Sequence, residues 1–285
     1  MTAAVTTPVP AARTRAVARA RWRDLLGSEW IKLWSLRSTA VVLGCLVVVY
    51  VCLAYRAAAT TYDAWPTMAD WMKADPDPAH DAFDFPSFLL LEATVGTIGA
   101  MTVAGEYATG LIRTSLIAVP DRSRVMLAKV TVVAGVLTAV GLILSVAIWL
   151  VTFAVLSGRI DGLSFSTPGV LRGILGTTLL LPVCGLVGMA IASLIRNTAG
   201  TVFAVLAFFL VVPLAVRAPL PLLSDNLRTD MGKTLPAYAW GRLMIAARGH
   251  IVERVSSIPT AWISLIAWAI VAIVATVLLL RRRDA

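Results

Sequence analysis

The sequence predicts an all-α polytopic membrane protein with six transmembrane helices. Of its 285 residues, 59% are hydrophobic and only 14% are charged, whereas a soluble domain carries about 25% charged residues. The mean hydropathy is +0.84. Six apolar stretches are each long enough to supply the roughly 20 residues that cross a bilayer. This composition excludes a soluble globular enzyme, a disordered chain and a fibrous protein.

The six predicted spans are bounded by charged residues or by short breaks. In chain order they cover about 38–55, 86–106, 130–157, 173–195, 197–216 and 257–280. An even number of spans places both chain ends on one side of the membrane. If that side is the cytoplasm, it holds 15 of the 25 Lys and Arg residues, which favours an N-in, C-in orientation in the plasma membrane. The basic outer segment at 217–254 is the main observation against this orientation. We attribute the net charge of +9 to this bias and predict no nucleic-acid partner.

The residues before the first span divide into a flexible tail, 1–21, and a predicted amphipathic helix, 22–37. Apolar side chains recur at helical spacing in that helix: Trp22, Leu25, Leu26, Trp30, Leu33 and Trp34. Arg21, Arg23, Glu29 and Lys32 lie off this stripe. Three tryptophans with bases opposite favour a helix lying in the cytoplasmic interface of the bilayer. A helix that packs on a protein partner is the alternative. The permease domain follows as 38–285.

Two polar segments are predicted on the outer side. Residues 63–84 carry six aspartates, but their spacing does not match an ordered calcium loop, so a solvated loop is favoured over a cation site. Residues 217–258 include a predicted short helix at 237–247 that carries Trp240. The sequence does not distinguish a lid, a re-entrant segment and a surface loop here, and it leaves the role of the aspartate-rich loop open.

No catalytic, cofactor-binding or metal-ligating set is predicted. The chain has two histidines and three cysteines, and neither type shows metal-ligand spacing. The stretch LRTDMGKT at 227–234 approaches a P-loop, but Leu227 stands where that motif needs glycine. We therefore do not expect this chain to hydrolyse ATP itself.

The second span carries a stripe of small residues and one acid. Glu92, Gly96, Gly99 and Ala100 fall close to one helical face. Small residues allow close approach of another helix, and an acid within a membrane span is costly and is usually functional. These four residues are predicted to serve helix packing or to line a substrate path.

A distinctive segment follows the second span, and together with three other motifs it resembles a known family. The motifs are SEWIKL at 28–33 with RST at 37–39, GEYATGLIR at 105–113 with AVP at 118–120, RNTAG at 196–200, and LRRRDA at 280–285. The chain resembles the membrane subunit of an ABC-2-type exporter in its actinobacterial form.

This resemblance implies six spans, a second permease copy in a homodimer or heterodimer, and separate subunits that bind ATP. In such families the loop between spans two and three contacts the ATPase. The resemblance therefore assigns Glu106, Tyr107, Gly110 and Arg113 to coupling with the ATPase. The physical chemistry agrees, since Gly110 permits a turn and the charges of Glu106 and Arg113 suit charge-assisted contacts. Partners expected of this chain are the ATP-binding subunit, the second permease and the lipid bilayer, with ATP bound by the partner subunit.

Two other functional classes stay open at this point. An integral membrane enzyme acting on lipid-type substrates would need clustered carboxylates or histidines at one membrane face. A membrane anchor or immunity protein would show the same spans without an ATPase. The transported substrate is not indicated by the sequence.

Overall fold

The structure is a computed structural model, and it describes residues 21–35, 37–70, 73, 85–111, 121–160, 163–167, 169–218, 224–244 and 257–283. The regular structure of these residues is helical throughout, without strands. The described residues form nine α-helices: α1 Trp22–Ser35, α2 Arg37–Ala64, α3 Phe85–Thr109, α4 Arg122–Leu156, α5 Val170–Ile195, α6 Thr198–Arg217, α7 Asp225–Thr234, α8 Pro236–Met244 and α9 Ile258–Arg283. A short 3-10 helix, Trp65–Thr67, follows α2, and α6 contains a π-helical turn at Ala207–Val211. Six of the α-helices are long and apolar enough to cross a membrane, namely α2 to α6 and α9. The predicted all-α polytopic fold is confirmed.

Several helices extend beyond the apolar stretches that predicted them. The first span was predicted to end near residue 55, but α2 continues to Ala64. The third was predicted to begin near 130, but α4 begins at Arg122, where the Asp121 side chain accepts a hydrogen bond from the Arg124 backbone N–H. Hydropathy marks the thickness of the membrane, whereas a helix end depends on capping groups. Helix α2 therefore extends past its apolar stretch at the C-terminal end, and α4 extends past its own at the N-terminal end.

Only part of the predicted apolar stripe of helix α1 faces the protein, namely Leu25, which is 6% exposed, and Leu33, which packs on the core. Glu29 lies off that stripe in the sequence, yet it is buried and only 4% exposed. Trp30 and Trp34 belong to the stripe and are exposed, with their rings in contact with one another. The reason is that Glu29 finds a buried cationic partner, described below. Helix α1 therefore turns its acid toward the bundle and its tryptophans outward, where a bilayer interface accommodates them.

Helix α5 lies at the centre of the bundle and packs against α3, α4 and α9. It is the most buried of the six candidate spans. Its contact with α3 is close because glycines meet there: a side chain at Gly99 would lie 2.1 Å from the Gly185 carbonyl oxygen. A side chain at Gly188 would overlap the Gly96 carbonyl oxygen in the same way. The α3–α5 pair therefore forms the rigid core of the fold.

The short helix α8 lies over one end of α3 and α5. The Trp240 ring stacks on Phe88 of α3 with the ring centroids 3.5 Å apart. Its indole Nε1 donates a hydrogen bond to Thr177 Oγ1 of α5 at 2.9 Å. Arg172 Nε donates to the Leu243 carbonyl oxygen at 2.8 Å. The described part of the helix predicted at 237–247 is thus packed on the bundle, as α8, rather than free on the surface. The neighbouring segment 245–256, the aspartate-rich stretch 74–84 and the tail 1–20 lie outside the described residues.

Candidate functional site

Four charged side chains from three helices meet at the opposite end of the bundle from α8. They are Glu29 and Lys32 of α1, Glu106 of α3 and Lys129 of α4, and we call them the charge cluster. Lys129 Nζ donates to Glu29 Oε2 at 2.5 Å and to Glu106 Oε1 at 2.8 Å. Lys32 Nζ donates to Glu29 Oε1 at 2.7 Å and to Glu106 Oε1 at 3.1 Å. Acids and bases therefore alternate, and the four formal charges balance.

The charge cluster is largely removed from solvent. The side chains of Glu29, Lys129 and Glu106 are 3%, 5% and 12% exposed, whereas that of Lys32 is 33% exposed. Burying a charge without a partner is costly, and removing one member of a buried pair costs about 3–5 kcal/mol. Each of these charges has two partners of opposite sign, which compensates the loss of water. Burial by itself lowers the pKa of Lys32, but Glu29 and Glu106 outweigh it, so its pKa is raised above 10.5.

The local sequence explains how each side chain reaches this point. Glu29 and Lys32 are three residues apart on α1 and so share one helical face. Glu106 lies in the last turn of α3, which ends at Thr109. Lys129 lies two turns into α4 because that helix begins at Arg122. The cluster therefore joins the helix that precedes the first span to both helices that flank the loop after the second.

The residues predicted for coupling occupy the end of α3. Glu106 is in the charge cluster, and the Tyr107 ring lies beneath the Arg196 guanidinium, whose central carbon is 5.3 Å from the ring centroid. Gly110 follows the helix with φ +72°, a conformation that favours glycine after a helix end. Arg196 caps the C-terminal end of α5 with φ 58°, and its contact with Tyr107 places the ends of α3 and α5 side by side. Arg113 lies outside the described residues.

The residues predicted for helix packing or a substrate path lie deeper, in the α3–α5 contact. Gly96 and Gly99 meet Phe209, Gly188 and Gly185, and Ala100 is buried. Glu92 is 1% exposed, and neither carboxylate oxygen has a hydrogen-bond partner among the described residues. It is 14 residues from Glu106, roughly 20 Å along the helix. The structure therefore does not bring Glu92 into the charge cluster.

Sequence reasoning found Glu106 but missed Glu29, Lys32 and Lys129 as its partners. In the sequence, Glu29 and Lys32 lie on the polar side of the predicted interfacial helix, and Lys129 directly precedes the third predicted span. A usable signal was present, because Glu106 and Lys129 are opposite charges at adjoining ends of consecutive spans. The pairing of Glu29 with Lys129 joins residues 100 positions apart, and no local pattern encodes it.

A cavity of about 620 Å³ adjoins the charge cluster. Helices α1, α2, α3 and α4 all contribute to its wall. The wall is mainly apolar away from the cluster, with Val42 of α2, Ile98 and Met101 of α3, and Val133 of α4. All four members of the charge cluster line its other end. No group of three or more potential metal ligands was found among the described residues.

Comparison with known protein families identifies the chain. The family model described as "ABC-2 family transporter protein" matches residues 25–214. The chain belongs to the ABC-2 transporter family. The match begins in α1 and ends in α6, so it includes the charge cluster and the cavity. ABC-2 membrane proteins are permease subunits of ABC transporters, and the family generally works with an ATP-binding subunit. No curated protein matches this ABC-2 chain.

Proposed function

We propose that this chain is the permease subunit of an ATP-driven ABC-2-type exporter. It forms the substrate path together with a second permease copy, and separate subunits bind and hydrolyse ATP. It lies in the plasma membrane with both termini in the cytoplasm. Coupling to the ATP-binding subunits takes place through the end of α3 and the segment that follows it, which together include Glu106, Tyr107, Gly110 and Arg113.

The charge cluster is the single observation that carries this proposal. It connects the end of α3 to α1 and α4 through buried, charge-assisted hydrogen bonds, which are about twice as strong as neutral ones. A force applied at Gly110 therefore acts on α1 and α4 as well as on α3. Helix α1 is separated from α2 by one residue, so the first span moves with it. The arrangement converts a contact at one short segment into movement of several spans.

Tyr107 and Arg196 extend this connection to the centre of the bundle. The Arg196 guanidinium over the Tyr107 ring links the end of α3 to the end of α5, an interaction worth about 0.5–2 kcal/mol. Helices α3 and α5 are locked together by their glycine contact. The coupling segment is thus attached to the rigid core on one side and to α1 and α4 on the other.

The test is purification of the full-length tagged chain in mild detergent, followed by mass spectrometry of the proteins that accompany it. We expect a P-loop protein in stoichiometric amount. Gly110→Val should reduce the retained partner strongly, because a β-branched residue is strained at φ +72°. The matched control is Gly232→Val in α7, at the other end of the bundle, where a side chain would meet no atom within 4 Å. If no P-loop protein accompanies the wild-type chain, or if Gly232→Val loses it equally, the proposed coupling is wrong.

A further inference from the structure

We propose that the cavity beside the charge cluster binds a phospholipid with an anionic headgroup, drawn from the surrounding bilayer. The phosphate would lie next to Lys32, and an acyl chain would follow the apolar wall between α2 and α3. This site goes beyond the transport role proposed above, because binding of a resident lipid requires neither ATP nor a cargo.

The cavity is open on the side where a lipid would enter. Helices α2 and α3 both line it, and they make few contacts with one another, one of which is a hydrogen bond between Tyr50 and Thr94. Val42 on the α2 wall is 43% exposed, and Met101 on the α3 wall is 40% exposed. Both helices are candidate membrane spans, so this opening faces the lipid phase. A ligand can therefore enter sideways from the membrane.

The dimensions fit a lipid of one leaflet. On α3 the cavity wall extends from Thr97 to Thr109, a separation of 12 residue steps or roughly 18 Å along the helix. Half of a typical hydrocarbon core is about 15 Å thick. A volume of about 620 Å³ falls within the range of pockets that hold small organic ligands, roughly 300–1,000 Å³. The cavity therefore suits a molecule with its polar end at the membrane surface and its chain inside.

The charged side chains beside the cavity favour a lipid with an anionic headgroup. The carboxylates of Glu29 and Glu106 each lie against two ammonium groups, and their side chains are 3% and 12% exposed. Lys32 is the member of the cluster with appreciable exposure, at 33%. The Lys32 side chain also lines the cavity, so it brings positive charge to the cavity wall beside the two carboxylates that it contacts, where a phosphate group would gain a charge-assisted contact. The exposed Trp30 and Trp34 on the same helix place α1 at headgroup level.

The experiment is native mass spectrometry of the purified full-length chain with added dioleoyl phosphatidylglycerol or dioleoyl phosphatidylcholine. We expect about one retained phosphatidylglycerol per chain and much less phosphatidylcholine. Val42→Trp fills the cavity and should lower retention severalfold. The control, Val48→Trp, lies on the same helix, is 62% exposed and does not line the cavity. Lys32→Gln should weaken retention about tenfold, the scale of one charged hydrogen bond, and Lys32→Arg should restore it.

Three results would overturn the proposal. If the chain retained the two lipids equally, it would not select an anionic headgroup. If Val42→Trp and Val48→Trp retained phosphatidylglycerol equally, the lipid would bind outside this cavity. If Val42→Trp lowered the dimer fraction and left bound phosphatidylglycerol unchanged, a second permease copy would occupy the cavity instead. None of these results depends on an ATP-binding subunit, so the proposed transport function would stand or fall separately.

Discussion

Replacing Lys129 by methionine tests whether the charge cluster holds α1 against α3 and α4. Methionine fills a similar volume but removes the charge, so the two buried acids, Glu29 and Glu106, share the one ammonium of Lys32. The cluster then carries a net negative charge at side chains that are 3% and 12% exposed. Removing one partner of a buried ion pair costs about 3–5 kcal/mol. We expect Lys129→Met to lower stability by an amount in that range.

Lys32→Met supplies a matched comparison within the same cluster. Lys32 contacts the same two acids, at 2.7 and 3.1 Å, but its side chain is 33% exposed. Lys32→Met also leaves Glu29 and Glu106 to share one ammonium, but solvent partly screens the charge of Lys32, so its loss costs less than that of the buried Lys129. We therefore expect Lys32→Met to destabilise the protein much less than Lys129→Met. The ratio of the stability lost in Lys129→Met to that lost in Lys32→Met distinguishes a buried cluster from a set of surface charges.

The double variant Glu29→Gln with Lys129→Met isolates their interaction. It restores charge balance, because Glu106 and Lys32 remain as one pair. Contacting residues in one network show coupling energies of about 0.5–3 kcal/mol, so the double variant should be more stable than the sum of the two single losses predicts. The assay is the temperature at which the monodisperse peak is lost in size-exclusion chromatography of detergent-solubilised protein. Equal losses for Lys129→Met and Lys32→Met, or strict additivity in the double variant, would refute the geometry described here.

Two further predictions concern pH and helix packing. Because Glu29 and Glu106 raise the pKa of Lys32 in the folded protein, its contribution to stability is complete below pH 10.5 and is lost as pH rises through the raised value. Thermal stability in detergent should therefore decline at such alkaline pH, and Lys32→Arg should reduce that decline; an identical pH profile for the two proteins would contradict the assignment. Gly99→Ala should abolish or strongly reduce monodisperse protein, since its side chain would lie 2.1 Å from a backbone oxygen. Gly105→Ala on the same helix meets no atom within 4 Å and should behave as wild type, so similar losses for both would show that α3 and α5 do not meet at Gly99.

The sequence predicted those features of the fold that depend on local composition. Six apolar stretches became six candidate spans, because bilayer thickness imposes a minimum length on any crossing helix. Helix ends were less predictable, since α4 begins at a cap formed by Asp121, which lies well outside the apolar stretch. The packing partner of Gly99 could not be predicted, because a small-residue stripe shows that a helix approaches closely but not which helix. The structure supplies that partner as Gly185 of α5.

The candidate site was predictable only in part, for a related reason. Glu106 stood out because it ends an apolar span and begins an unusual loop. Glu29 did not stand out, because an acid on an amphipathic helix is ordinarily exposed. The position of Glu29 becomes informative only when the structure shows Lys129 beside it. In the sequence, a charge near a span indicates the membrane boundary. In the structure, four such charges form a contact between helices.

The choice of charges for this contact is itself informative about its role. Well-packed apolar residues would hold α1 at least as firmly, because desolvation offsets much of the attraction in a buried ion pair. Charges also define the position of α1 along its neighbours. A shift of α1 by one turn, roughly 5.4 Å, would separate Glu29 and Lys32 from their partners and leave buried charges uncompensated. Helix α1 therefore has one strongly preferred position on α3 and α4. A contact with one defined position would transmit displacement of the proposed coupling segment without slipping, which an apolar contact of the same area does not ensure.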